Sequence, residues 1–260
     1  RREVYDALRA RHAAKTERPL HTLKDARANA PQITWGDYRP TRPHLLLQQD
    51  HAVSPERALP SGAPQHLKVL HDYPLEDLRE FIDWSPFFST WEIRGSYPDI
   101  LNSPTAGPAA RKLFEDAQAM LDTMIAEKWV TANGVVGFFP AASIGDDVEV
   151  YTDESRTEVL TVLHHLRQQG EHRKGVPNRC LADFIAPKGS GVKDWIGGFA
   201  VTGGLGADER IKVLRAELND YDAILLESLC DRLAEAFAER LHDKVRREIW
   251  GYAPDEQFTN

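Results

Sequence analysis

The chain has 260 residues, 42% of them hydrophobic and 28% charged, with a net charge of −8 from 32 basic and 40 acidic residues. That balance suits one large folded domain or two small ones. It argues against a nucleic-acid binder built on a basic stripe, and no stretch approaches the roughly 20 apolar residues of a membrane helix. Neither nucleic acid nor a membrane is therefore an expected partner. No apolar leader follows Arg1-Arg2-Glu3-Val4 and no initiator Met precedes it, so the chain reads as a fragment of something longer. The two cysteines, Cys180 and Cys230, stand far apart in apolar surroundings. They read as buried free thiols in a reducing compartment, the cytoplasm.

In chain order, residues 1–16 predict a helix, with Val4, Leu8 and His12 at helical spacing. Residues 17–66 carry Pro19, Pro31, Pro40, Pro43, Pro55, Pro60 and Pro64 and read as irregular. Trp35 and Leu45-Leu46-Leu47 favour an arm wrapped over a neighbour rather than a free linker. Residues 1–66 are thus expected to form an N-terminal helix and wrapping arm, and residues 67–260 the domain core. Within the core, residues 74–81 predict a short helix with Leu75, Leu78 and Ile82 on one face, ending near Pro86. A loop rich in aromatics is expected next (Trp84, Phe87, Phe88, Trp91, Tyr97). Residues 109–129 predict an amphipathic helix.

The middle of the chain is β-rich. Residues 134–139 are a short apolar run, residues 147–151 alternate, and Gly145-Asp146 between them signals a hairpin turn. Residues 158–166 fit a strand or a helix equally, and residues 179–186 and 194–202 read as further strands. Two C-terminal helices follow: residues 209–218, and a long one over 221–250 with Ile224, Leu225, Leu229, Leu233, Phe237, Leu241, Val245 and Ile249 as its apolar stripe. The order of elements and the short turns between strands predict an α+β fold with an antiparallel sheet.

Four constellations invite a chemical reading. Val201 to Gly206 (Val-Thr-Gly-Gly-Leu-Gly) is either a structural turn or a phosphate-cradling loop. Its spacing and the short remaining chain favour the turn. The adjacent His164 and His165 point to opposite faces of any strand, and the Glu239/His242 pair lacks a second such pair, so no metal site is expected. Asp83 lies beside Trp84 and close to Phe87, Phe88 and Trp91. A carboxylate there is a turn or cap residue, or else a receiver of a cationic, donor-rich ligand. Glu235 lies about 200° around the long helix from Leu233, on the side of Asp231, Arg232, Glu239 and His242. It is part of a solvated face, or one wall of a polar groove. No nucleophile elbow or P-loop is present, and no residue reads as catalytic.

Several stretches, in order, resemble the activation domain of cobalamin-dependent methionine synthase. They are Ile82 to Phe88 (Ile-Asp-Trp-Ser-Pro-Phe-Phe) with Thr90-Trp91 and Tyr97-Pro98, residues 134–141, Gly145 to Tyr151 with Arg156-Thr157, His164 to Gln169, Cys180 to Lys188, Phe199 to Leu205, Asp231 to Glu239, and Trp250 to Pro254. The resemblance implies a single C-shaped α+β domain with a bent antiparallel sheet flanked by helices. It implies S-adenosylmethionine as this domain's ligand, for reductive methylation of cob(II)alamin to methylcobalamin within an enzyme that methylates homocysteine. It further implies a cobalamin-binding domain in the same chain, a flavodoxin-like or diflavin reductase electron donor, and zinc in the parent's homocysteine domain. Carried onto this sequence, the ligand-binding residues are Asp83 and Glu235. The family's later Arg-Pro-Ala-Pro-Gly-Tyr-Pro segment would follow Pro254, and the chain ends at Asn260. A fragment inactive alone and weak in S-adenosylmethionine binding is therefore expected. A non-catalytic docking domain for cobalamin and flavoprotein partners is the alternative.

Overall fold

The computed structural model describes residues 4–9, 20–48, 66–173 and 175–257. Its described elements are α1 (residues 4–9), α2 (Leu23–Ala28), α3 (His44–Gln48), β1 (Leu67–Leu70), α4 (Glu76–Arg79), α5 (Trp84–Thr90), α6 (Gly107–Ala126), β2 (Thr131–Ile144), β3 (Asp147–Tyr151), β4 (Val159–His164), β5 (Asp194–Leu205), α7 (Ala207–Ala216) and α8 (Asp220–Lys244). A turn of π-helix, Val245–Ile249, follows α8. The expected α+β class holds: the strands form one open sheet in the order β1-β2-β3-β4, with β5 also on β2. The β1–β2, β2–β3 and β3–β4 pairs are antiparallel. No helix among the described residues is long and apolar enough to cross a membrane.

Two compact units divide the chain. The larger takes residues 41–138 and 197–260. Its centre is α8, whose Leu225, Leu229, Leu233, Phe237 and Leu241 recur at one-turn spacing and are buried. Each such side chain contributes roughly 1.5–3 kcal/mol by leaving water. Helices α4, α5, α6 and α7 all pack on α8. From α6 come Leu113, Ala117, Leu121 and Met124, all buried. The Tyr73 ring stacks on Phe237 at 4.6 Å, and the Tyr73 N–H donates to the Ala132 carbonyl of β2.

The smaller unit takes residues 1–40 and 139–196. Gly145, at φ +62°, makes the β2–β3 turn, a conformation that a side chain would strain. Ala141, Val148, Cys180 and Ala182 form its core, with Leu163, Ile185 and Ile196 packed against them. Asn178 is fully buried and donates to the carbonyls of Gln168 and Gly170 while accepting from Asn29. Residues 20 and 21 lie against residues 169 and 170.

Several expectations need correction. The first part of the expected aromatic loop, Trp84–Thr90, is a helix, α5, while Trp91 and Tyr97 lie beyond it in the irregular segment. Asp83 caps the helix, and Pro86 falls in its first turn, where a missing N–H costs nothing. Residues 179–186 are not a strand: Leu181–Phe184 is a 3-10 turn, closed by the Asp183 carboxylate accepting from the Cys180 N–H at 2.8 Å. Residues 158–166, left open between helix and strand, contain β4, as the β-branched Val159, Thr161 and Val162 favour. Cys180 is buried, but Cys230 is only partly covered. Short helices α2 and α3 interrupt the segment read as irregular. Of the helix expected over 1–16, residues 4–9 are helical and His12 lies outside the described residues. Pro19, Pro55, Pro60 and Pro64 lie outside them too.

Candidate functional site

Both acidic residues singled out from the sequence belong to the larger unit, on helices that pack together, α5 and α8. Asp83 sits at the N-terminus of α5 with extended backbone (φ −77°, ψ 113°). Its Oδ1 accepts from the Ser85 N–H at 2.9 Å. This is an N-cap, which satisfies one of the four free N–H groups at a helix start. The side chain is nonetheless exposed, and Oδ2 has no partner among the described residues. The two readings of Asp83 are therefore compatible: one oxygen caps, the other faces outward.

Aromatic rings fix this helix start. Trp84 meets Phe87 at 5.3 Å and Phe114 at 4.9 Å, both edge-on. Tyr97 lies 5.5 Å from Phe114 and stacks at 6.4 Å on Phe88. Its backbone N–H donates to Ser85 Oγ at 3.1 Å, tying the segment after α5 back to the residue that Asp83 caps. Trp84, Phe87 and Phe88 are buried while Tyr97 is partly exposed, so the rings form a rigid base rather than a loose lining.

Glu235 points outward from α8, as the helical phase predicts, with its side chain 64% exposed. Both its oxygens are engaged: Arg232 Nη1 donates to Oε2 at 2.6 Å and Nη2 to Oε1 at 2.8 Å. Arg232 departs from the expectation that it shares a solvated face, since its side chain is only 10% exposed. The three-residue spacing that permits such a pair was readable in the sequence. The burial that makes it matter was not.

At the start of α8, the Tyr221 hydroxyl donates to Asp116 Oδ2 at 2.8 Å, joining that helix to α6. Burial, reinforced by the Asp116 carboxylate, pushes the Tyr221 hydroxyl up to about 12. Hydrogen bonds from Lys112 and Tyr221 hold Asp116 below the usual carboxylate range. The Trp91 ring lies 5.2 Å from that of Tyr221.

The Gly-rich stretch resolves as a packing device. A Cβ on Gly203 would clash with the backbone of Leu233 and Ala234, and one on Gly204 would stand 2.8 Å from Cys230 Cβ. Helix α8 fills the space a phosphate would need. Gly206, at φ +99°, caps α7, whose first turn carries Asp208 and Glu209, the wrong sign for an anion.

The smaller unit holds a separate charged cluster. Arg167, almost wholly buried, donates to Asp183 and Asp146, and Arg27 donates to Asp146 Oδ2 at 2.8 Å. Burial pushes Asp146 up, but the hydrogen bonds from Arg27 and Arg167 outweigh it and hold the carboxyl below its usual range. An open cavity of about 650 Å³ lies beside Arg27, Asp146 and Arg167, with His165 and Leu166 also in its lining. Arg27, Arg167, Asp146 and Asp183 all have partners of opposite sign, so the cluster reads as a structural staple.

Residues 74–260 match the family model described as the vitamin B12 dependent methionine synthase, activation domain. Among solved structures, the crystal structure of the MetH reactivation domain bound to AdoHcy is similar over 92% of this chain. The two are 46% identical, with a TM-score of 0.78, and the match spans 67% of that chain.

Proposed function

Given that this chain belongs to the family of vitamin B12-dependent methionine synthase activation domains, we propose that its α5–α8 face binds S-adenosylmethionine, with Asp83 and Glu235 among the contacts. The observation that carries the reading is Asp83: an exposed carboxylate on a rigid aromatic base, one oxygen spent on the cap and the other free. A free anionic acceptor suits an ammonium or a ribose hydroxyl, because a charge-assisted hydrogen bond is about twice as strong as a neutral one. The similar structure holds AdoHcy, which differs from S-adenosylmethionine by the methyl group and its positive charge.

When bound, S-adenosylmethionine supplies the methyl group for cobalamin held by another domain of the parent chain. The residues described above bind and orient; none of them carries out chemistry. The electron for reactivation comes from a flavodoxin-like or diflavin donor, zinc belongs to the homocysteine domain of the parent, and the setting is the cytoplasm.

Two observations favour a second reading, a docking module without its own ligand. Both Glu235 oxygens are already held by Arg232, and Asp83 already has work as a cap. Calorimetric titration of S-adenosylmethionine into the parent enzyme, wild type and Asp83→Asn, separates the two. The binding reading expects saturable heat that Asp83→Asn weakens. Identical isotherms for the two proteins would refute the role given to Asp83, and no heat in either would favour the docking reading.

A further inference from the structure

Arg240 stands on α8 five residues beyond Glu235 with its side chain three-quarters covered. Its guanidinium lies 5.3 Å from the centroid of the Phe81 ring, the geometry of a cation–π contact. Nη1 donates to Asp243 Oδ2 at 2.7 Å, and the Tyr73 ring stacks on Phe237, three residues earlier on α8. Asp243 is itself buried and also faces Arg247 at 3.5 Å. Burial works against the charge of Arg240, and Tyr73, Asp243 and the nearby Asp77 outweigh it, holding the guanidinium above its ordinary value.

Contacts with α8 bracket one segment. Tyr73, on Phe237, begins it, Phe81, under the Arg240 guanidinium, ends it, and Asp83 follows two residues later. Between them, α4 is a single turn, too short to be stable by itself. The apolar Leu78 and Ile82 are buried about it, and apolar burial carries no hydrogen-bond direction. A cation pinned by Asp243 over one ring is directional: moving the ring by an ångström or two weakens the contact.

We infer that Arg240 is the positioning residue of this site, clamping the Tyr73–Phe81 segment to α8 and so setting where Asp83 stands relative to Glu235. Its functional meaning rests on the S-adenosylmethionine reading; the clamp itself does not.

Two measurements on the Arg240→Met, Arg240→Lys and Phe81→Leu variants test it. The first is amide hydrogen exchange in this chain. Arg240→Met, which keeps the apolar stem, is expected to speed exchange at residues 78–90 by about tenfold or more and leave α6 unchanged. Phe81→Leu should do the same, and Arg240→Lys, which restores a charge over the ring, should recover much of the protection. Unchanged exchange at 78–90 in Arg240→Met, or equal acceleration throughout α6, overturns the clamp. The second is S-adenosylmethionine affinity of the parent enzyme, expected to fall about tenfold in Arg240→Met and to recover in Arg240→Lys. Altered exchange with unchanged affinity refutes the positioning role. If the wild type takes up no S-adenosylmethionine, the ligand reading and the positioning role fall together, and exchange alone still decides the clamp.

Discussion

Glu235 gives both carboxylate oxygens to the guanidinium of Arg232, one α-helical turn before it, at 2.6 and 2.8 Å. The pair is lopsided: the arginine is buried and the glutamate is open to solvent. The glutamate thus neutralises and hydrogen-bonds a cation that the fold has taken out of water. Removing either partner has different consequences.

Glu235→Ala leaves the Arg232 charge buried without its counter-ion and is expected to destabilise the chain by about 1–3 kcal/mol. Arg232→Met leaves Glu235 in water, where a carboxylate needs no partner, and should cost less. The double variant should be more stable than Glu235→Ala alone, giving a coupling energy of about 1 kcal/mol. Chemical denaturation of the four proteins measures the cycle. Simple additivity would mean that the pair contributes nothing to the fold.

Asp83 carries two roles that substitution can separate. Asparagine also caps helices, so Asp83→Asn should change stability by only a few tenths of a kcal/mol, whereas Asp83→Ala should cost about 1 kcal/mol. Both variants lose the free anionic oxygen. In the parent enzyme both should weaken S-adenosylmethionine-dependent reactivation while turnover of already active enzyme stays near wild type. If Asp83→Asn reactivates normally and only Asp83→Ala is impaired, the residue is a cap and nothing more.

Gly203 tests the packing account of the Gly-rich stretch. The added methyl of Gly203→Ala meets backbone, which cannot swing aside as a side chain would. Forcing β5 off α8 should cost about 1–3 kcal/mol or more. Gly170→Ala, where the new methyl meets nothing within 4 Å, is the control, expected within about 0.5 kcal/mol of wild type. Thermal or urea unfolding reads both.

Acid should loosen the smaller unit through Asp146. Its folded pKa is depressed by Arg27 and Arg167, so the native state binds protons there less readily than the unfolded chain does. The stabilisation is fully present above the unfolded value, about 4, and is lost as pH falls through the lower folded value. Asp146→Asn removes that linkage. Below about pH 4 the stability gap between wild type and Asp146→Asn should therefore narrow, measured by urea midpoints across the acid range. A gap independent of pH would show that Asp146 acts through neutral hydrogen bonding alone.

Local pattern alone determined much of this protein. The four-residue recurrence of Leu225, Leu229, Leu233, Phe237 and Leu241 predicts α8, and Gly145-Asp146 predicts the β2–β3 turn. In both, the signal lies within a few residues of the feature it specifies. The ordered stretches from Ile82 to Pro254 likewise pointed to the right family. What the sequence left open turns on partners distant along the chain. Val159–His164 became a strand because β3 was there to pair with it. The glycines of β5 became contact points because α8 lies against them. Residues 84–90 were misread because aromatic crowding suggested a loop, whereas Asp83 and the ring of Phe114, contributed by α6, stabilise a helix. The burial of Arg232 and the clamp of Arg240 on Phe81 were decided only in three dimensions. Whether a charged side chain is solvated or enclosed depends on what packs over it, and helical periodicity assigns a direction without saying what lies there.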